Sequence, residues 1–141
     1  MSLQQVVLLL GSNLGDEKKN IEDAIVLISN NIGKITQKTE ILITKPVEFV
    51  SSNNFCNIAL VIDTVFSPIS LLNKLKEMER QMGRKVDSKT LGGYTDRIID
   101  IDIIYYNALK FISKNLEIPH KKHVFERDFS KKLLSKLDLK T

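Results

Sequence analysis

Apolar residues in the first half of the chain follow the spacing of strands at some positions and of a helix at others. Residues 5 to 10 (QVVLLL) form a continuous apolar run, which predicts a strand buried on both faces. From Asp16, a candidate N-cap, apolar residues recur with helical spacing. Residues 35 to 43 are rich in Ile, Thr and Leu, and apolar residues alternate over 55 to 63, so both segments are predicted strands.

The second half of the chain adds a helix and a strand. Ser67 and Pro68 are a typical helix start, because serine caps the first turn and proline is tolerated at its first position. The last predicted strand lies within DRIIDIDIIYYN, residues 96 to 107. Its odd positions are apolar and are expected to face the helices; they are Ile99, Ile101, Ile103 and Tyr105.

The order of these elements, β-α-β-β-α-β, is typical of one fold class. It predicts an α+β, ferredoxin-like antiparallel sheet with both helices on one face, followed by short C-terminal additions. The opposite face of the sheet is expected to be covered by loops or to meet solvent. A length of 141 residues predicts a single domain over residues 1–141, since a second core would not fit.

Charge and composition restrict the classes of partner. A net charge of +4 favours anionic partners without separating nucleotides from nucleic acids. The apolar runs are shorter than a membrane span and the N-terminus lacks a signal-peptide pattern, so a cytoplasmic protein without a membrane partner is expected. Cys56 is the only cysteine, which excludes an internal disulfide and a cysteine-cluster metal site and predicts a small core residue.

Two carboxylates interrupt the apolar pattern of the last strand. Asp100 and Asp102 are two residues apart, so both are expected to point to the same side of the sheet. Such a pair suits Mg²⁺, which takes oxygen ligands and rarely needs more than two from protein. The alternative is that acids on a solvent-facing strand discourage edge-to-edge aggregation, and the short motif alone favours this alternative.

Basic side chains lie on both sides of this strand in the sequence and favour phosphate binding. A polyphosphate requires both Mg²⁺ and positive side chains, and the planar guanidinium of arginine matches phosphate oxygens. Two histidines without a third ligand are a weak zinc signal, so a phosphate contact or surface exposure is expected for them. The basic residues are Arg84, Lys85, Lys89 and Arg97 before the strand, and His120, Lys121, Lys122, His123 and Arg127 after it.

A second group of residues predicts a pocket for a flat ring. Asn57 offers an amide donor and acceptor, and Phe55 offers a flat surface, although a phenylalanine by itself is more typical of a core. Residues 44 to 47 (TKPV) are expected to complete the wall. The segment GSNLGD, residues 11 to 16, lacks the glycine and lysine spacing of phosphate-binding loops and is interpreted as a tight connection between strand and helix.

Taken together and in order, these segments resemble the family of 6-hydroxymethyl-7,8-dihydropterin pyrophosphokinase, an enzyme of the folate pathway. The combination of Arg97, Asp100 and Asp102 with the later Pro119 and His120 is the most specific part of the resemblance. The matching segments are LLLGSNLGD (8–16), ITKPVEF (43–49), NNFCNIAL (53–60), LKEMERQMGR (75–84), DRIIDIDIIYYN (96–107) and IPHKKHVFERDF (118–129). One residue more than is usual in the family lies between His120 and Arg127.

The resemblance implies an activity and a set of site residues. The activity is Mg²⁺-dependent transfer of pyrophosphate from ATP to the hydroxymethyl group of the pterin, which releases AMP. The implied catalytic residues are Arg84, Arg97, Asp100 and Asp102, of which the two aspartates would hold two Mg²⁺ ions. The implied ATP contacts are Glu79, Arg84, Arg97, Ile103, His120 and Arg127. The implied pterin contacts are Thr44, Lys45, Val47, Phe55, Asn57 and Phe129, and Tyr94 matches an aromatic residue on a loop that closes over the substrates.

Two alternatives to this enzyme follow from the same sequence. One is a paralogue that binds pterin or nucleotide without turnover, which is supported by Val86 and Asp87 at positions that are usually basic in the family. The other is an RNA-binding module, because such modules share the order β-α-β-β-α-β. The aromatic signature of RNA-binding sheets is missing, however, so the expected partners are ATP and the pterin, without nucleic acid, and a monomer is expected.

Overall fold

The computed structural model describes residues 2–44, 54–83 and 98–139. The strands are β1 (Gln4–Ser12), β2 (Lys34–Lys38), β3 (Leu42–Thr44), β4 (Phe55–Thr64), β5 (Asp100–Tyr106), β6 (Phe111–Ile112) and β7 (Glu117–Ile118). The helices are α1 (Glu17–Asn31), α2 (Pro68–Gln81) and α3 (Asp128–Leu134), and a π-helical turn spans Lys122–Glu126.

Strand β1 lies at the centre of the main sheet. It pairs antiparallel with β4 on one side and with β5 on the other, and β2 and β3 pair with the far edge of β4. The resulting order β2-β4-β1-β5, with α1 and α2 as the crossovers, is ferredoxin-like, so the predicted fold class is confirmed. Strands β6 and β7 form a separate small hairpin and are part of the predicted C-terminal additions.

Helices α1 and α2 cover one face of this sheet, as predicted. Asp16 and Ser67 cap their first turns with side-chain oxygens, and Pro68 is the first residue of α2. The apolar stripes of both helices pack on the even residues of β1 and β4 and the odd residues of β5. This core, the helix-side core, contains Ile21, Ala24, Ile28, Leu71, Leu75 and Met78 from the helices and Leu8, Leu10, Ile58, Leu60, Ile101 and Ile103 from the strands.

The opposite face of the sheet is covered by the C-terminal segment rather than left to loops or solvent. Leu133 of α3 is fully buried against the odd residues of β1 and β4, and Leu137 and Leu139 pack beside it. This second core also contains Val7, Leu9, Ala59, Val61 and Ile104. The central strand is therefore buried on both faces, which explains its continuous apolar sequence.

Two strand predictions were wrong in detail. The segment 35 to 43 forms two short strands, because Thr39 interrupts the ladder: its Oγ1 accepts from the main-chain N–H of Ala59 at 3.1 Å. In β5, Ile103 pairs with Leu8 but Tyr105 pairs with Val7, so a bulge leaves one extra residue between them. Tyr105 consequently packs in the second core instead of the helix-side core.

Two predictions drawn from composition agree with the described residues. Cys56 is a free, buried cysteine of the helix-side core, and burial raises the pKa of its thiol. No helix in the described part of the chain is long and apolar enough to cross a membrane.

Each buried side chain of the second core is expected to contribute as much to the free energy of unfolding as one of the helix-side core. Replacing Leu133 by alanine removes a fully buried side chain and should lower the free energy of unfolding by about 2 to 5 kcal/mol. The measurement is urea denaturation followed by circular dichroism. Ile112→Ala serves as the control, because Ile112 is 76% exposed, and it should change stability by no more than about 0.5 kcal/mol. Equal effects of the two substitutions would contradict the packing role of α3.

Candidate active site

The two aspartates of β5 lie on the face of the sheet that α3 covers. Asp100 pairs across the ladder with Gly11 of β1, and Asp102 pairs with Leu9. Their strand neighbours Ile101 and Ile103 point into the helix-side core, so the predicted arrangement of both carboxylates on one face is present. Both aspartates are half-buried.

Asp102 is held by a buried chain of hydrogen bonds. The Nε2–H of His123 donates to Oδ2 of Asp102 at 2.8 Å, because an ionised carboxylate can only accept. The Nδ1 atom of the same ring lies 2.5 Å from Oγ of Ser130 in α3. The side chain of His123 is 3% exposed and that of Asp102 is 24% exposed. The chain therefore orients one carboxylate oxygen and leaves the second oxygen of Asp102 as a ligand atom.

The surroundings of Asp102 keep its carboxyl group ionised. Burial alone raises its pKa, but the hydrogen bond from His123 and the electrostatic interactions with His123, His120 and Lys76 outweigh burial and lower the pKa to about 2. Burial also lowers the pKa of His120, and the charge of Asp102 opposes that effect. The site thus combines a charged carboxylate with half-buried and buried imidazoles.

The two histidines are not exposed, so the surface alternative was wrong, and a phosphate contact stays a prediction. His120 is half-buried, and its main-chain N–H donates to the carbonyl oxygen of Ile104 at 3.0 Å. His123 is buried between Asp102, Ser130 and the ring of Phe129, whose centroid lies 6.0 Å away at 77°. A further neighbour of His123 is a cation, since Nη1 of Arg127 lies 3.3 Å from its Nε2. The structure thus brings these residues around one carboxylate.

Asn57 carries a buried donor without a partner. It pairs across the ladder with Gly11, and a Cβ on Gly11 would lie only 2.7 Å from Oδ1 of Asn57. The absence of a side chain on Gly11 therefore gives the amide room to lie across the strand. The Nδ2 atom of Asn57 is buried and has no hydrogen-bond partner among the described residues. An unsatisfied buried amide costs about 1 to 3 kcal/mol, which a ligand acceptor would recover.

The predicted ring-binding residues border this amide in the sheet. Thr44 is the last residue of β3 and pairs with Phe55, the first residue of β4, and both are half-buried. Phe55 lies two residues from Asn57 and so points to the same face. Phe129 of α3 is half-buried and packs with the second core. Thr44 and Phe55 thus lie at the start of β4, and Phe129 packs on the face of the sheet to which Asn57 points.

The side chains of Glu79 and Ile103 are both buried. Glu79 lies on α2 and is buried, and its Oε2 accepts from the main-chain N–H of Ile101 at 2.6 Å. Its Oε1 lies 3.4 Å from Nζ of Lys76. The side chain of Ile103 is buried in the helix-side core, so only its main-chain groups can contact a ligand. Strand alternation places those groups on the same open edge of β5 as the N–H of Ile101.

Five predicted site residues lie outside the described part of the chain: Arg84, Arg97, Lys45, Val47 and Tyr94. Conversely, the structure adds two residues that the sequence did not indicate as site residues. Gly11 was interpreted as part of a turn but lies in β1 under the Asn57 amide. Ser130 carries no recognisable signal in the sequence, because its role depends on how α3 packs against His123.

Comparisons with known proteins all point to one family. A family model described as 7,8-dihydro-6-hydroxymethylpterin-pyrophosphokinase (HPPK) matches residues 7–139. The 2-amino-4-hydroxy-6-hydroxymethyldihydropteridine pyrophosphokinase of Porphyromonas gingivalis is 34% identical over 132 residues, which cover 92% of this chain and 88% of that protein. A folate synthesis bifunctional protein of Arabidopsis thaliana is 34% identical over 128 residues, or 91% of this chain and 26% of the relative.

A third relative is also a larger protein. The bifunctional protein FolKE of Lactococcus lactis is 36% identical over 131 residues, which cover 90% of this chain and 35% of the relative. The chain thus spans about a quarter of the length of the plant relatives and about a third of the length of FolKE. What the sequences share is the region that contains β1 to α3.

The low pKa of Asp102 predicts a loss of stability in acid. A carboxyl group whose pKa falls on folding stabilises the native state above its unfolded pKa, and this contribution disappears as the pH falls from about 4 to about 2. The free energy of unfolding should drop by about 2 kcal/mol more over this interval in the native sequence than in Asp102→Asn. Urea denaturation at each pH, with a chelator present, measures the difference. The exposed Asp128→Asn should follow the native curve; a native curve parallel to that of Asp102→Asn would contradict the assignment.

Proposed function

Because the chain belongs to the 7,8-dihydro-6-hydroxymethylpterin-pyrophosphokinase family, we propose that it transfers pyrophosphate from ATP to 6-hydroxymethyl-7,8-dihydropterin in folate biosynthesis. The observation that carries this proposal is the arrangement on one sheet face. A pair of carboxyl groups on β5 and an unpartnered buried amide on β4 lie on opposite sides of Gly11. The first suits a metal-bound polyphosphate and the second suits the polar edge of a ring.

Asp100 and Asp102 have the donor atoms that Mg²⁺ requires. Magnesium prefers oxygen ligands and binds through one or two carboxylates together with substrate phosphates. Asp102 stays ionised at neutral pH, and His123 occupies only one of its oxygens. We propose that these two aspartates hold two Mg²⁺ ions with the ATP phosphates. When bound, the ions would neutralise phosphate charge and acidify the attacking hydroxyl group.

The pterin is proposed to bind at the end of β4. The Nδ2 of Asn57 would donate to an acceptor on the pterin ring, which would satisfy the one buried side-chain donor left unpaired among the described residues. Phe55 and Phe129 would contact the ring faces, since aromatic side chains favour stacked contacts with flat rings. Thr44 would add main-chain contacts, together with Lys45 and Val47.

The nucleotide is proposed to bind along β5. Arg127 and His120 would contact its phosphates, joined by Arg84 and Arg97 as the catalytic cations and by Tyr94 on the closing loop. Ile103 would offer its edge-facing main-chain groups. Glu79 already accepts from the main chain of β5, so its part would be to position that edge as well as to contact the nucleotide.

The reaction requires no nucleophile from the protein. The hydroxyl oxygen of the pterin attacks the β-phosphorus of ATP and forms a new P–O bond. The bond between the β-phosphorus and the oxygen that bridges it to the α-phosphorus breaks, and AMP leaves with that oxygen. The hydroxyl proton passes to solvent. The protein's part is positioning and charge neutralisation, which dominate catalysis of phosphoryl-type transfer.

The proposed partners are these two small molecules, bound by a cytoplasmic monomer without nucleic acid. RNA-binding modules of this topology bind bases on the sheet face opposite the helices. Here α3 packs on that face and buries Leu133 completely. Two aspartates on the same face would also repel a phosphate backbone in the absence of metal. Both observations favour the small-molecule function over RNA binding.

The carboxylate pair should be essential for turnover. With ATP, Mg²⁺ and the hydroxymethyl pterin, the native chain should release AMP, and Asp100→Asn should lower kcat/KM by at least about 100-fold, because several kcal/mol of charge stabilisation are lost. AMP is measured by chromatography. Asp128→Asn is the matched control, since the side chain of Asp128 is fully exposed. No AMP from the native chain, with ATP and pterin still bound, would instead support the non-catalytic paralogue.

Asn57 should determine pterin affinity without affecting ATP. Asn57→Ala removes the buried donor and should weaken pterin binding by about 10-fold or more, because one net hydrogen bond is lost. Isothermal calorimetry with each substrate separately measures the effect, and ATP binding by the same variant is the control. An unchanged pterin affinity, with an intact fold by circular dichroism, would remove Asn57 from the site.

A further inference from the structure

Two imidazole rings and one carboxylate converge at the covered face of β5. Asp102, His120 and His123 each offer a ligand atom, and these atoms all lie within 4.8 Å of one another. The rings of the two histidines have their centroids 4.4 Å apart, at an angle of 42°. His123 is buried and the other two residues are half-buried, so the cluster is only partly exposed to solvent. This arrangement places two nitrogen donors beside a carboxylate assigned above to Mg²⁺.

The π-helical turn brings His123 to this position. The main-chain N–H of Arg127 donates to the carbonyl oxygen of Lys122 at 2.9 Å, which is the five-residue step of a π-helix. The turn therefore contains one residue more than an α-helical turn. At its start, the N–H of Val124 donates to the carbonyl oxygen of His120 at 3.0 Å. His120 and His123 thus lie on the same side of the turn, toward Asp102.

Ser130 supports the His123 ring in either tautomer. A hydroxyl group is both donor and acceptor, so Oγ of Ser130, 2.5 Å from Nδ1, can donate to that nitrogen or accept from it. When a metal ion displaces the proton of Nε2, the ring keeps its proton on Nδ1, which donates to Ser130, and the Nε2 lone pair binds the ion. Histidine ligands are commonly oriented in this way through their second nitrogen. Ser130 is fully buried, which holds the ring in place.

We propose that Asp102, His120 and His123 bind a divalent transition-metal ion of the Zn²⁺ and Co²⁺ class in preference to Mg²⁺. The inference rests on the proposed function at one residue only: Asp102 is also assigned to the proposed Mg²⁺ site. Two imidazoles and one carboxylate are a ligand set that Zn²⁺ uses with a fourth position open, whereas Mg²⁺ favours oxygen ligands. The open position would take water or an anionic oxygen.

Two cations face the cluster and bear on the proposal. Nη1 of Arg127 lies 3.3 Å from Nε2 of His123, and Lys76 acts on Asp102 through its charge while its Nζ lies 3.4 Å from Glu79. Arg127 is a long, half-buried side chain whose fork can turn toward an anion at the open position. Metal binding is therefore expected to move the guanidinium group of Arg127 away from Nε2 of His123.

The test uses the full chain after treatment with a chelator, without ATP or pterin. Co²⁺ is added alone, and its visible absorption reports nitrogen ligands. Zn²⁺ competition against Co²⁺ then gives the affinity, and calorimetry gives the Mg²⁺ affinity. One equivalent of Zn²⁺ should bind at least about 100-fold more tightly than Mg²⁺, because nitrogen donors favour the transition metal.

Three variants identify the ligands. His120→Asn and His123→Asn should each weaken Zn²⁺ binding by about 100-fold, with a loss for Mg²⁺ of about 10-fold at most. Ser130→Ala should weaken Zn²⁺ binding by about 10-fold, since the ring loses its orienting partner. Asp128→Asn, an exposed carboxylate near the same turn, should change neither affinity. Circular dichroism checks folding, and if buried His123→Asn unfolds, half-buried His120→Asn decides the question.

The proposal is overturned if Zn²⁺ binds no more tightly than Mg²⁺, or if the histidine variants weaken both ions equally. The second result would mean that the histidines act only by orienting Asp102. Because no substrate is present, this failure is distinct from failure of the pyrophosphokinase reaction. AMP release without Zn²⁺ binding would leave the proposed function intact, and Zn²⁺ binding without AMP release would leave the metal site intact.

Discussion

Burial of the central strand on both faces is the constraint on which the rest of this structure depends. Residues Val6 to Leu10 of β1 are almost completely inaccessible, so every neighbouring element must supply apolar surface to one face or the other. Helices α1 and α2 supply it on one side, and α3 supplies it on the other. The polar side chains of the candidate site lie toward one end of this strand, opposite Leu9 and Gly11.

At that end the polar groups are few and specifically arranged. A half-buried carboxylate is stabilised by a hydrogen bond and an ion-pair partner, and His123 offers Asp102 both. Gly11 gives space to the Asn57 amide on the neighbouring strand. The same sheet position thus separates a charged half of the site, on β5, from an amide-bearing half, on β4. The proposed function assigns the first half to the polyphosphate and the second half to the pterin ring.

Local sequence signals predicted the elements and several of their ends. Asp16 and Ser67 cap their helices as expected, because capping depends only on residues within one turn. It was likewise predictable that Asp100 and Asp102 point to the same face of the sheet, since strand alternation is a local property. Tyr105 was assigned to the wrong face, because the bulge in β5 depends on the register with β1 and leaves no mark in the sequence of β5. Thr39 was missed for the same reason: its partner Ala59 lies on another strand.

The sequence by itself therefore determined the order of elements, the ferredoxin-like topology and, through its ordered motifs, the family. Periodicity, caps and motif spacing are local properties and can be read along the chain. Only the tertiary structure decided that α3 covers the second face, that Asn57 keeps an unpaired donor, and that His123 is buried between Asp102 and Ser130. Each of these depends on contacts between residues distant in sequence or on the packing of one side chain, which local patterns do not specify.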